Sequence, residues 1–344
     1  MMTTLRECEA TINKLAVQGK GILAADESTA TITKRFQPLG IESNEDTRRA
    51  YREILMTTPG INQFIAGVIL FEETLNQKTS AGLLFPEALK QAGIVPGIKV
   101  DKGLVHLANT VDENITQGLD GLSERLIEYK AKGALFAKWR AVYTISDKTP
   151  SHLAIKTNAE VLARYAAICQ EQGIVPIVEP EVLIDGQHTL ARCEEISEPV
   201  FHAVFHALFR HHVSLEHMIL KPSMVISGKS CSQKASVDDV AKATIRILRR
   251  TVPAALPSIN FLSGGQTSEQ ATTHLNAMNK LGPLPWNLSF SYARALQDIC
   301  MKTWQGQAKN KEAAQKAFFK RAKLNSLAAM GKYVESMENE AQAA

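Results

Sequence analysis

GALFAKWRAVY at 133–143 and IVPIVEPEVL at 174–183 are two apolar runs that carry charges at alternate positions. Lys138 and Arg140 stand two apart in the first, Glu179 and Glu181 two apart in the second. Residues i and i+2 of a strand share a face, so each pair points to one side. The remainder of each run is apolar, as parallel strands buried on both faces require. Between them lies NAEVLARYAAICQEQG at 158–173, an amphipathic helical pattern closed by Gly173. Strand, helix and strand at this spacing form a β/α crossover unit.

The unit recurs in both directions along the chain. Strand-like runs stand at 21–28 (GILAADES), 65–73 (IAGVILFEE), 96–103 (PGIKVDKG), 217–225 (HMILKPSMV), 258–265 (SINFLSGG) and 287–292 (NLSFSY). With the first two they make eight. VDDVAKATIRILRRT at 237–251 is a further intervening helix. Starts recur every ~30–45 residues, room for a strand, a helix and two loops. The prediction is an α/β fold, a (β/α)8 TIM barrel, as one domain over 1–344. A doubly wound open sheet is the runner-up, and it usually has fewer strands. No GxGxxG follows a strand and no GxxxxGK[ST] occurs, so the common nucleotide loops are missing. An N-terminal helix is expected at about 4–17, and a polar, mobile tail at about 333–344.

Composition narrows the function. Of 344 residues 45% are hydrophobic and 22% charged, and the net charge of +4 is spread along the chain. No block of like charges marks a nucleic-acid arm. A basic pocket for an anionic small molecule fits at least as well. Cys8, Cys169, Cys193, Cys231 and Cys300 are odd in number, widely spaced and without a CxxC. That argues against a disulfide framework or a zinc site and for reduced thiols in a cytoplasmic protein. No apolar stretch of 18 residues or more predicts a membrane span, and the N-terminus lacks a secretory apolar run.

Charges inside strands are the unusual feature. Lys99 and Asp101 share a face in GIKVD, as do Asp26 and Ser28 in AADES, and Lys221 stands nearly alone in ILKPSMV. A buried unpaired charge costs several kcal/mol. Gathering these groups at the barrel mouth, where opposite charges neutralise one another, avoids that cost. The mouth at the C-terminal strand ends is where barrel enzymes work. Any one pair has a bland reading, a snorkelling lysine or a loop start. Five strands carrying such residues at similar positions outweigh it.

Metal chemistry would need His or Cys clusters at strand ends, and the nine histidines do not supply them. His211 and His212 are adjacent, hence poor co-ligands. His202 and His206 are i,i+4 but lack an HExxH pattern, so a helix-surface role is expected. No metal is expected. Amine chemistry fits better. A lysine attacks a ketone only when neutral, and its reference pKa is about 10.4. Desolvation in an apolar strand and a cation at Lys138 would lower that value for Lys221. The iminium so formed is an electron sink, and Glu179, Glu181 and Asp26 are available to move protons. In LSGGQ, Gly264 and Gly265 allow close approach of backbone N–H groups to an anion, and Ser263 adds a hydroxyl. Arg294, one strand later, is a planar donor for phosphate.

GILAADEST, GVILFEETL, GIKVDKG, TQGLDGLSER, FAKWRAV, GIVPIVEPE, LKPSMV, LRRTVP, FLSGGQ and FSYARALQ together resemble the class I fructose-1,6-bisphosphate aldolases. The likeness is collinear from about residue 18 to about 333. It implies a cofactor-free, metal-independent lyase of glycolysis and gluconeogenesis. Such an enzyme reversibly cleaves fructose 1,6-bisphosphate to dihydroxyacetone phosphate and glyceraldehyde 3-phosphate. By resemblance Lys221 is the Schiff-base lysine, Glu179 the acid/base of imine formation and Glu181 its companion. Lys138 matches the lysine beside the imine, and Asp26 the carboxylate at the C4 hydroxyl. Ser263, Gly264, Gly265 and Arg294 match the C1-phosphate site. Arg140 matches a phosphate-binding arginine, and Lys99, Ser28, Lys34 and Arg35 the C6-phosphate end. Partners implied are a phosphorylated sugar and further copies of the chain in a homotetramer, with no nucleic acid and no membrane.

Three positions depart from the pattern. Ala293 in SYAR stands where many relatives have glycine, and Thr31 where serine is common. Many animal members finish on a tyrosine that assists proton exchange at the enamine, whereas this chain finishes ENEAQAA. Tyr333 is too far from the end to be equated with that tyrosine. A bacterial or divergent member is therefore expected. The rival readings are a Schiff-base aldolase for another phosphorylated ketose, a pyridoxal-phosphate protein using Lys221, and a silent scaffold. A scaffold should have lost at least one catalytic group, and none is missing.

Overall fold

The computed structural model describes residues 2–339. Its centre is a closed barrel of eight parallel strands. These are β1 (Gly21–Ala25), β2 (Ile65–Leu70), β3 (Val95–Lys99), β4 (Phe136–Tyr143), β5 (Val175–Val182), β6 (Ile219–Leu220), β7 (Ser258–Phe261) and β8 (Asn287–Tyr292). Each strand pairs with its neighbours in sequence, and β8 closes onto β1. Helices occupy the crossovers and cover the outer face, which is the expected (β/α)8 architecture.

The intervening helices start and stop where local chemistry says they should. His152–Glu171 begins behind Ser151, whose hydroxyl accepts from the Ala154 N–H. It is followed by Gly173 at φ +69°. Val237–Thr251 has the predicted bounds, with Ser236 as its cap.

Inside the barrel two layers follow one another. Phe136, Val175, Val95, Ile22 and Ile219 form an apolar plug with Cys8, Ile12 and Leu15 of the Met2–Leu15 helix. The N-terminal helix thus closes the end where the strands begin. Gly97 makes room there, since a Cβ on it would lie 2.3 Å from the Phe136 ring. Above the plug the inward residues become charged. Lys99 is in register with Lys138, and Arg140 with Glu179. Partners in register share a face, so these four line the interior.

Some boundaries differ from the sequence reading. Hydrogen-bonded strand stops at Ala25, Lys99, Leu220 and Phe261, several residues before the apolar runs end. Asp26, Asp101, Lys221 and Ser263 therefore sit just past strand ends, because the chain must turn outward there toward the next helix. Ser28 does not continue the strand; it caps the Thr29–Phe36 helix. A two-stranded hairpin, Leu104–His106 with Asn114–Thr116, was not foreseen, since three residues are too few for alternation to show. The N-terminal helix spans Met2–Leu15, two residues earlier than expected. The first part of the expected mobile tail is packed. Tyr333 is buried, Glu335–Glu338 form a 3-10 turn, and Arg321 holds both carboxylate oxygens of Glu338. Residues 340–344 of that expectation lie outside the described residues.

Candidate active site

Lys138 stands at the middle of the charged layer. Its Nζ lies 2.9 Å from Asp26 Oδ2, 3.2 Å from Glu179 Oε2 and 3.8 Å from Asp101 Oδ2. All four residues are buried. Burial alone would lower the lysine's pKa, but Asp26, Glu179 and Asp101 outweigh it and raise it above its ordinary value. Burial likewise pushes the Asp26 carboxyl up, and Lys138 and then Lys221 overcome this and hold it at about 2. Asp26 is accordingly a carboxylate and Lys138 an ammonium at neutral pH.

Lys221 is brought into the same cluster by the end of β6. Its backbone N–H donates to the Val178 carbonyl at 2.8 Å, which continues the ladder one residue past the strand. The side chain is 5% exposed, and its Nζ lies 3.2 Å from Glu179 Oε1. Glu179 thus stands between two amines, with one oxygen on each. The sequence placed both lysines in one cavity but did not place a carboxylate between them. Asp101 is the other group whose importance it missed. It was noted only as the partner of Lys99, and its carboxylate accepts from Lys99 Nζ at 2.6 Å while facing Lys138. The i,i+2 spacing in GIKVD was the available signal.

Arg140 and Glu181 form a second pair nearer the opening, with the Arg140 side chain 36% exposed. Burial lowers the Arg140 pKa, and the contact with Glu181 more than reverses it. On the other side of the mouth Ser263, Gly264, Gly265 and Gln266 form a turn closed by the Gln266 N–H on the Ser263 carbonyl at 3.0 Å. Gly264 and Gly265 have φ of +54° and +81°, so both need the freedom of glycine. A Cβ on Gly265 would stand 3.7 Å from Nη2 of Arg294, which puts that guanidinium against the turn. Arg294 is the first residue of the Arg294–Trp304 helix. Ala293 before it has φ −99°, so its methyl requires no left-handed backbone.

The remaining candidates lie on or beside the Thr29–Phe36 helix. Ser28 is half-buried, and its hydroxyl is 3.0 Å from that of Thr31. Lys34 is exposed. Arg35 is engaged by Glu27, by Gln297 at 3.0 Å and by Asp298 at 2.9 Å. It reaches a ligand only by leaving those partners. His202 and His206 are exposed on the Leu190–Arg210 helix.

A family profile described as "Fructose-bisphosphate aldolase class-I" matches residues 7–344. The chain belongs to the class I fructose-bisphosphate aldolase family. Its activity is that of a fructose-bisphosphate aldolase, a lyase. It is similar to the "Probable fructose-bisphosphate aldolase class 1" of Xanthomonas campestris, with 53% identity over 96% of this chain and 99% of the relative. It is 56% identical to "Fructose-bisphosphate aldolase 4, cytosolic" of Arabidopsis thaliana over 93% of this chain and 81% of that one. A solved aldolase of Plasmodium falciparum, in complex with TRAP and a small-molecule inhibitor, superposes with a TM-score of 0.95. The two are 50% identical over 96% of each chain. In this aldolase the charged layer therefore lies at the C-terminal strand ends, where barrel enzymes hold their chemistry.

Proposed function

We propose that this aldolase cleaves its ketose through a Schiff base on Lys221, with Glu179, Asp26 and Lys138 as the groups that move or hold protons. The observation that carries this is the position of Glu179, 3.2 Å from each of two buried amines, with Asp26 2.9 Å from one of them, Lys138. Lys221 first passes a proton from its ammonium to Glu179, the freed amine adds to the C2 carbonyl of the sugar, and a second nitrogen proton moves to the C2 oxygen to give the carbinolamine. The Glu179 carboxyl then protonates that hydroxyl, water leaves, and the iminium remains. Asp26 then takes the C4 hydroxyl proton. The C3–C4 bond breaks, its electrons flow into the iminium, and glyceraldehyde 3-phosphate departs. Protonation and hydrolysis of the enamine release dihydroxyacetone phosphate and the free amine.

With a pKa of about 2, Asp26 is a weak base in the empty site. A substrate hydroxyl that displaces part of its contact with Lys138 would raise its basicity at the moment it is needed. In this reading Ser263, Gly264, Gly265 and Arg294 bind the C1 phosphate. Lys99, Ser28 and Lys34 serve the C6 end, joined by Arg35 if it leaves its carboxylate. Arg140 is held near the opening by Glu181 and is available to a phosphate there.

A cytoplasmic location is part of the same proposal, and the likeness to a plant relative named cytosolic supports it. No helix among the described residues is long and apolar enough to cross a membrane. A homotetramer is proposed by resemblance, and the exposed Phe209 and Leu153 on outer helices are available to such contacts. The test of the chemistry is borohydride reduction in the presence of dihydroxyacetone phosphate, followed by peptide mapping. Lys221 should carry the label, Lys221→Met should abolish both label and cleavage, and activity should survive EDTA. Label on another lysine, or cleavage by a folded Lys221→Met enzyme, would assign the nucleophile elsewhere.

A further inference from the structure

We propose that His274 is a positioning residue, fixing the shape of the Ser263–Gln266 turn through the side chain of Gln266. The inference rests on the reading of that turn as the C1-phosphate site. A turn with two left-handed glycines at its centre has no side chains there to stiffen it. Gly264 is half-buried and Gly265 exposed, so packing does not hold them. The constraint comes from beneath. Gln266 is buried, and its Nε2 donates to the Ser263 carbonyl at 2.9 Å. The same nitrogen lies 3.5 Å from Sδ of Met224, three residues after Lys221. One amide thus ties the turn to the segment that carries the proposed nucleophile.

That amide is oriented by His274. Its nitrogen must face the Ser263 carbonyl, so its oxygen faces the ring. The Gln266 Oε1 is 2.6 Å from Nδ1 of His274, and the ring is buried on the Ser268–Asn279 helix. An acceptor at that distance requires the Nδ1 proton. Burial lowers the ring's pKa to about 4, so the donor is a neutral N–H throughout the working range. Without it the side-chain amide is free to rotate, and the Ser263 carbonyl keeps only the backbone N–H of Gln266. The turn then samples shapes in which its N–H groups no longer converge on one anion.

Steady-state kinetics on fructose 1,6-bisphosphate test this with His274→Phe, His274→Asn and Arg294→Ala in the full chain. Loss of one buried neutral hydrogen bond predicts that His274→Phe raises KM roughly five- to tenfold, with kcat within about twofold of the parent. His274→Asn offers an amide N–H near the place of Nδ1 and should restore KM. A merely structural histidine would lower the active fraction and kcat and leave KM alone. If Arg294→Ala raises KM while His274→Phe does not, the positioning role is overturned and the phosphate site stands. If Arg294→Ala leaves KM unchanged, the phosphate site falls and the positioning role with it. An Asn variant that behaves like Phe also overturns the donor argument. Should His274→Phe fail to fold, Gln266→Met breaks the same link and is judged by the same division between KM and kcat.

Discussion

Replacing Lys138 by methionine would remove the group that faces three buried carboxylates at 2.9, 3.2 and 3.8 Å. At an effective dielectric of ~20 the closest of these attractions is about 6 kcal/mol gross. Desolvation of the ammonium and carboxylates cancels most of it. Taking one partner out of a buried ion cluster has a net cost of about 3–5 kcal/mol. The variant should therefore be less stable by that order in urea at neutral pH. The folded fraction should also lose cleavage activity, because Asp26 and Glu179 lose the ammonium that holds both carboxylates in position. Loss of a positioned proton acceptor predicts a kcat lower by about 100- to 10,000-fold.

The acid limb of stability separates this explanation from simple loss of packing. In the parent enzyme the Asp26 carboxyl titrates at about 2 when folded, against 3.8 for the unperturbed group. A depressed carboxyl stabilises the fold above its unfolded pKa, and that contribution fades as pH falls from about 3.8 to about 2. The amount is about 2 kcal/mol. Lys138→Met should lose much of this slope, which equilibrium unfolding at stepped pH can read. Cleavage within tenfold of the parent, with acid unfolding curves of equal slope, would refute the assignment of Lys138 as the holder of Asp26.

Two further outcomes are expected. Gly97→Ala places a methyl 2.3 Å from the Phe136 ring and should destabilise the barrel by about 1–3 kcal/mol through overpacking, measured by urea unfolding; no change would mean the plug can repack. His274 is buried neutral, with its pKa lowered from 6.5 to about 4, so its unfolded form takes a proton first as the solution is acidified. Relative to His274→Asn, the parent should lose about 3 kcal/mol of stability between pH 6.5 and 4 and no more below that; parallel stability curves over that window would show that the ring is not desolvated.

Much of this was legible because two periodicities coincide in the chain. The apolar runs repeat as strands, and their charged residues fall at the same end of each. Lys138, Arg140, Glu179 and Glu181 were readable from i,i+2 spacing alone, since all four lie within hydrogen-bonded strand. Asp26, Lys221 and Ser263 lie beyond it, where no periodicity fixes direction. Their roles came from resemblance and their positions from the fold. What escaped was relational. Glu179 between two amines, Asp101 facing Lys138 and His274 behind Gln266 join residues 37 or more apart, or residues on either side of a turn. Spacing along one strand says nothing of the distance across a barrel. The partners of Arg35 escaped for the same reason, because Gln297 and Asp298 lie more than 260 residues away.

The inner cluster contains three amino groups, Lys99, Lys138 and Lys221, and three carboxyl groups, Asp26, Asp101 and Glu179. A charge buried alone would weaken the fold by several kcal/mol, which explains why so many such groups can occupy one barrel only if they are matched. The matching also serves the chemistry. Protons in the proposed cycle pass between this set and the bound sugar, and a carboxylate that takes one up is neutralised as the Lys221 nitrogen loses its charge. A substitution that removes one member unbalances both stability and turnover, whereas one that exchanges a carboxylate for its amide removes the charge and keeps the shape. Asp101→Asn is the informative case, because Asp101 touches both Lys99 and Lys138 yet carries no proposed proton transfer. If balance is what matters, turnover should fall with it even though no catalytic bond is made or broken at position 101.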